Sequence, residues 1–247
     1  MQKYFISKTE LNNKKITSDD VFHIKNVMRF KPSDRFIVSN MEEEYLVSIS
    51  EISKNFVSFE IVQEIINNNE LKCKVDIFQG YPKGDKIEDI IKHSTELGVN
   101  SIYPTMMKRS IVKLDNERRV QKENRFQKIS KEAAEQSFRK IIPEVKILDL
   151  KNIDFSGYRH KILCYEETAK NNDFSNLKAI VKSIEENDCI AVVIGPEGGI
   201  DEAELKYLEE LGFIACALGP RILRTETASM YILSAISYEL ELKWCAR

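Results

Sequence analysis

The residues best able to do chemistry lie in two glycine-proline segments. The first is Ile194-Gly195-Pro196-Glu197-Gly198-Gly199-Ile200, which holds three of the chain's nine glycines within five residues. Glycine lets a backbone turn sharply and approach a ligand closely. This segment follows the apolar run CIAVVI and precedes an acidic helical stretch, so it sits where a strand of an open α/β sheet would end, the side on which such sheets bind ligands. Taken alone, it is also readable as a tight turn with no ligand. The second segment, Leu218-Gly219-Pro220-Arg221-Ile222-Leu223-Arg224-Thr225-Glu226-Thr227-Ala228, again follows an apolar run and opens a helical pattern. Two such loops on neighbouring strand ends point to one shared pocket.

Exclusion narrows what the pocket holds. The chain has no GxGxxG fingerprint, no GxxxxGK[ST] phosphate loop and no GxSxG elbow, so the usual dinucleotide and triphosphate cradles and the hydrolase nucleophile are missing. Three histidines, His23, His93 and His160, show no metal-ligand spacing, and five scattered cysteines form no CxxC pair. The cysteines read as reduced core residues, and no metal site is expected. A small neutral or zwitterionic ligand held largely by backbone groups remains.

The elements that must position these loops change character near residue 70. Up to Ile66 the pattern is short β-type runs (FIS, RFIVS, EYLVSIS, NFVSFEIV) with one helix between them, capped at Ser18 and burying Val21, Ile24, Val27 and Met28 until Pro32 stops it. This predicts a small β-barrel over 1–70, closed by a linker at Asn67, Asn68, Asn69 and Glu70. From Lys72 the runs KVDIF, SIYP, KILCY, CIAVVIG and FIACALG alternate with helical stretches over 84–97, 119–138, 175–186, 201–211 and 224–243. That alternation predicts an α/β domain with a mainly parallel sheet over 71–247.

Charge is unevenly spread. The formal net charge is −2, yet residues 71–140 carry 16 basic and 10 acidic groups, against 9 and 11 before them and 12 and 18 after. The excess lies in residues 106–140 and reads either as a phosphate-binding patch or as a solvated helix face. No purely apolar run exceeds the six residues of Cys189 to Ile194, so neither a membrane span nor a signal core is expected. The expected setting is the cytoplasm.

IGPEGGI followed by LGPRILRTETA resembles the paired cofactor loops of the SPOUT methyltransferases. HIKNVMRFKPSD at 23–34, PKGDKIEDIIKHSTELGV at 82–99, KRS at 108–110 and KEAAEQSFR at 131–139 are similar to the bacterial 16S ribosomal RNA uridine-N3 methyltransferase family, in order and spacing across nearly the whole chain. The resemblance implies a PUA-like RNA-binding barrel over 1–70 and a trefoil-knotted α/β SPOUT domain over 71–247. It further implies S-adenosylmethionine as cofactor, 16S ribosomal RNA or the small subunit as partner, and a homodimer. The cofactor would be held by residues 194–199 (Ile194, Gly195, Pro196, Glu197, Gly198, Gly199) and by Leu218, Gly219, Ile222, Leu223, Arg224, Thr225, Glu226, Thr227 and Ala228. The amino terminus departs from the family, with Gln2-Lys3-Tyr4-Phe5 where an arginine-rich start precedes an aromatic pair.

Methyl transfer from a sulfonium needs alignment more than a metal, but attack by uracil N3 requires loss of a weakly acidic proton. Glu135, Glu226 and Glu96 are candidate bases, and Arg139, Arg224 and Arg109 candidate anion stabilisers, with no single base singled out. Lys3, His23, Arg29, Lys83, Lys108, Arg109, Arg125 and Arg139 are candidate RNA contacts. The carboxyl-terminal helix spreads apolar residues around most of its circumference, as a dimer helix would. Two other classes explain part of the pattern: a non-enzymatic assembly factor leaves the glycine loops idle, and a nucleotide-using small-molecule enzyme leaves the β-rich module idle.

Overall fold

The computed structural model describes residues 1–66, 69–167 and 174–242. Asn67 and Asn68 of the expected linker, residue 243 of the expected last helix and Cys245 lie outside them. The chain forms two compact units, Met1–Glu70 with Ala134–Ile142, and Leu71–Ala133 with Pro143–Arg247. Residues 134–142 thus join the amino-terminal unit, an addition to the sequence division at 70.

The first unit contains β1 (Lys3–Phe5), α1 (Lys8–Asn13), β2 (Lys15–Ile16), α2 (Asp20–Phe22, continued by a π turn over His23–Val27), β3 (Arg35–Ser39), β4 (Glu44–Ile52) and β5 (Val57–Glu64). The sheet order is β1-β3-β4-β5-β2, and the sheet curls into a half-barrel. Tyr4, Ile16, Ile24, Phe36, Val47 and Phe59 are among the residues filling its core.

Helix α1 was not expected, although its signal is local. Ser7 and Glu10 form a capping box, with the Glu10 amide donating to Ser7 Oγ at 3.2 Å and the Ser7 amide to Glu10 Oε2 at 3.0 Å. Helix α2 departs from the expected helical burial. The Met28 amide donates to His23 O, five residues back, and this wider turn rotates Val27 and Met28 off the core face that Val21 and Ile24 occupy.

Three of the expected site residues are held in buried polar contacts. Lys3 is fully buried, its ammonium 2.6 Å from Glu44 Oε2 and 2.6 Å from the Arg139 carbonyl oxygen, so it has no surface to offer RNA. Helix α4 (Asn116–Gln136) ends before Arg139, which is buried with Nε 3.1 Å from Glu70 Oε2. Glu70 Oε1 also accepts from the amides of Lys140 and Ile141. Glu135 is buried and accepts from the Phe5 amide at 3.0 Å. These groups satisfy one another because a charge taken from water must be paired. Arg139 and Glu135 are buried in these contacts within the first unit.

The second unit contains β6 (Lys74–Gly80), α3 (Lys86–Glu96), β7 (Ser101–Met106), most of α4, β8 (Glu144–Val145), β9 (Leu148–Asp149), β10 (His160–Cys164), α5 (Ser175–Ser183), β11 (Cys189–Ile194), α6 (Glu202–Glu210), β12 (Ile214–Cys216) and α7 (Thr225–Ser237). The sheet order is β12-β10-β11-β6-β7-β8, with β9 also on β7, and every pair is parallel. Strands covered on both faces read as continuous apolar runs, which is why β11 is CIAVVI. Helix α3 buries Ile87, Ile90, Ile91, Ser94 and Thr95 at helical spacing and stops at Gly98, whose φ of +89° suits glycine. Helix α7 buries one stripe, Thr225, Ala228, Ser229, Ile232, Leu233 and Ile236, and leaves Tyr231 exposed on the other side.

Candidate active site

Strand register places four side chains in one row at the carboxyl end of the sheet. Cys164 pairs with Cys216 and with Ile194, and Ile194 pairs with Gln79. The two glycine loops leave from this row and enclose a cavity of about 470 Å³ within the second unit, a size suited to one small ligand.

A short hydrogen-bond chain holds the loops together. Gln79 Nε2 donates to Thr225 Oγ1 at 2.7 Å, and Thr225 Oγ1 donates to the Gly195 carbonyl oxygen at 2.7 Å. Both side chains are buried, so the strand β6, the loop after β11 and the start of α7 share one internal contact. Close backbone packing reinforces it. A Cβ on Gly80 would lie 2.4 Å from Pro196 N, which only glycine avoids. Gly219 has a φ of +107°, a conformation that side chains resist.

The rim carries charge of both signs. Lys86, at the start of α3, sets its ammonium 3.0 Å from Glu197 Oε1 and 3.6 Å from Glu226 Oε2. The hydrogen bond from Lys86 to Glu197 raises the ammonium above its ordinary value. Burial pushes the Glu197 carboxyl up, but Lys86 and the Lys83 amide outweigh it and hold it below the usual range. Arg109 Nη1 donates to the Gly198 carbonyl oxygen at 3.0 Å, and Lys108 Nζ lies 2.9 Å from Asp201 Oδ1. That contact with Lys108 is the main reason the Asp201 carboxyl is held down. The two-sign rim and backbone-rich walls suit a ligand that is itself zwitterionic.

Residues 69–237 match the RNA methyltransferase domain family, and residues 16–62 match the RNA methyltransferase PUA domain. The chain belongs to the RNA methyltransferase family. It is 41% identical over 253 residues to ribosomal RNA small subunit methyltransferase E of Bacillus subtilis (strain 168), covering 98% of each chain. The protein of that name from Mesomycoplasma hyopneumoniae (strain 232) is 32% identical, covering 95% of this chain and 98% of the relative. A crystal structure of ribosomal RNA small subunit methyltransferase E from Neisseria gonorrhoeae bound to S-adenosyl methionine has a TM-score of 0.80 at 27% identity, covering 96% of this chain and 97% of that one.

In this RNA methyltransferase the expected cofactor residues line the cavity, apart from Gly198 and Thr227, which lie on the loops but off its wall. Of the expected catalytic residues, Arg224 and Glu226 line it. The expected RNA contacts divide by their partners. Arg109 lines the cavity, Lys83 is exposed with its amide on Glu197, and Arg125 is ion-paired with Glu88 at 2.8 Å. Lys108 is exposed and paired with Asp201, Arg29 is exposed, and half-buried His23 has Nδ1 2.9 Å from the Tyr4 hydroxyl. Sequence reasoning missed Gln79, Gly80, Lys86 and Glu166. Each lies at or just beyond a strand end or at a helix start beside a glycine loop, a signal that needs the sheet order before it can be read. Cys164 and Cys216, expected as core residues, also line the cavity.

Proposed function

We propose that this protein transfers a methyl group from S-adenosylmethionine to N3 of a uridine in 16S ribosomal RNA of the small subunit. The observation carrying this reading is the pair of glycine loops tied through Thr225 around a single cavity, in a chain whose relatives are named for small-subunit ribosomal RNA methylation. The cavity fits the donor in volume, in its glycine-lined walls and in its two-sign rim. When bound, the donor supplies an electrophilic methyl on a sulfonium that leaves in line, so positioning accounts for much of the acceleration.

Residues 194–199 and 218–228 hold the donor through backbone groups, and Thr225 fixes the spacing between them. The apolar side chains of Ile194, Ile200, Ile222 and Leu223 exclude water from the reacting atoms. Glu226 takes the N3 proton in this reading. Its Oε2 is buried and makes no hydrogen bond, and the Lys86 ammonium lies 3.6 Å away. Arg224, the residue before α7, stabilises the negative charge that develops on the uracil carbonyl oxygens. The first unit grips the RNA around the target. A homodimer in the cytoplasm completes the reading, supported by the exposed Tyr231, Tyr238 and Ile222 beside or on the carboxyl-terminal helix.

The test is transfer of a labelled methyl group from S-adenosylmethionine to 16S ribosomal RNA or small subunits by the purified protein, followed by mass spectrometry of the nucleosides. Label on uridine N3 supports the reading, and binding of RNA without transfer reduces the protein to an assembly factor. Light scattering coupled to size exclusion tests the dimer, with about twice the 28.6 kDa chain mass expected. A fully active monomer overturns it.

A further inference from the structure

The π turn of the first unit creates an exposed surface within the part of the protein that grips RNA in the reading above. Phe22 is 67% exposed, Val27 56% and Met28 38%, all within seven residues of one short helical segment. Regular α-helical winding would carry Val27 and Met28 towards the core beside Val21 and Ile24. The bond from the Met28 amide to His23 O winds them outward instead, and the segment closes with Phe30 N donating to Ile24 O and Arg29 in the left-handed region at φ +55°. π turns are uncommon and concentrate at functional positions.

Its carboxyl-terminal border is cationic. Lys25, Arg29, Lys31 and Arg35 are all exposed between residues 22 and 35, against one acid, Asp34, whose carboxylate accepts from the Lys31 amide at 2.7 Å. Asp19 and Asp20 lie at the opposite, amino-terminal end of the segment. Below the surface, the Tyr4 hydroxyl on His23 Nδ1 and buried Val21 and Ile24 anchor the segment to the core, so the exposed side chains project from a fixed base.

An exposed ring beside cations complements a nucleic acid whose bases are free to stack and whose phosphates are close by. A duplex keeps its bases stacked on one another, and a protein partner would have to cover the cationic border with acids. We infer that this surface binds single-stranded RNA, with Phe22 stacked on an unpaired base and Lys25 and Arg29 on the adjoining phosphates. The inference rests on the RNA reading above and names the form of RNA that the first unit takes.

The experiment measures fluorescence anisotropy of the full chain with an end-labelled short oligouridine, and with an RNA duplex of the same length, over a range of salt. The intact protein binds the single strand more tightly than the duplex. Phe22→Ala weakens the single-strand complex about tenfold without changing its salt slope, because stacking releases no counterions. Phe22→Tyr keeps the affinity. Lys25→Ala with Arg29→Ala flattens the slope by roughly 0.7 for each phosphate that is no longer neutralised. Circular dichroism and urea unfolding check that each variant is folded, and calorimetry with S-adenosylmethionine checks that the cavity, which none of these residues lines, is intact. The inference is overturned if Phe22→Ala binds oligouridine as the parent does, if it weakens single strand and duplex by the same factor, or if the parent does not bind the single strand. Methyl transfer by the parent is scored separately, so its presence alongside any of these results removes this surface and leaves the enzymatic reading standing.

Discussion

Thr225 Oγ1 donates to the carbonyl oxygen of Gly195 at 2.7 Å, joining two loops thirty residues apart in sequence at a point buried from solvent. The same hydroxyl accepts from Gln79, so one side chain satisfies a donor on β6 and an acceptor after β11.

Thr225→Val keeps the shape and removes both bonds. Leaving a buried donor and acceptor unpaired costs about 1–3 kcal/mol. The expected outcome is a lower melting temperature and a raised KM for S-adenosylmethionine, while Thr225→Ser stays close to the parent. A parent-like Val variant beside an impaired Ser variant would show that the methyl group, and not the hydroxyl, is what matters.

Gly80→Ala drives a Cβ to 2.4 Å from Pro196 N. Overpacking of this kind costs about 1–3 kcal/mol, and the displaced loop should lose cofactor affinity by calorimetry. Gly219→Val should also abolish cofactor binding, through its φ of +107°. Unchanged affinity in either folded variant removes that glycine from the pocket.

Arg139→Ala and Arg125→Ala should separate structure from RNA contact. Arg139 is buried on Glu70, and breaking such a pair costs about 3–5 kcal/mol. Its variant should unfold at lower denaturant with no change in the salt slope of RNA binding. Arg125 is exposed, so its variant should keep stability within about 1 kcal/mol of the parent. A flattened salt slope in Arg139→Ala alone would return Arg139 to the RNA surface.

Asp188 sets an acid limb of stability. Burial raises its carboxyl, but the Glu185 amide, the His160 ring and the Arg159 guanidinium outweigh it and hold the group at about 2, below its ordinary 3.8. The folded state therefore binds fewer protons than the unfolded state between these values. The stabilisation is present above pH 3.8 and is lost as pH falls towards 2. Urea unfolding of Asp188→Asn should show lower stability at neutral pH and a shallower decline across that window. An identical decline in both proteins would remove Asp188 as its source.

Features that depend on neighbours along the chain were legible in the residues themselves. Apolar runs such as CIAVVI marked the parallel strands, because strands buried on both faces leave few polar positions, and the two glycine loops located the cavity through their place after those strands. The Ser7–Glu10 box was equally legible in local spacing. Which charges remain available was settled by packing. Lys3, Glu135 and Arg139 read as an RNA and catalytic set because their types and spacing suit it, yet each is buried on a partner far away in sequence, and burial is a property of the packed chain. The same holds for Gln79 and Lys86, which reach the cavity only because β6 lies beside β11 and α3 starts beside Glu197. The outward turn of Val27 and Met28 was hidden for a related reason. A single extra residue in one helical turn rotates the residues after it by about 100°, off the core face, and the hydrogen bond that creates it leaves no mark in the periodicity of the sequence.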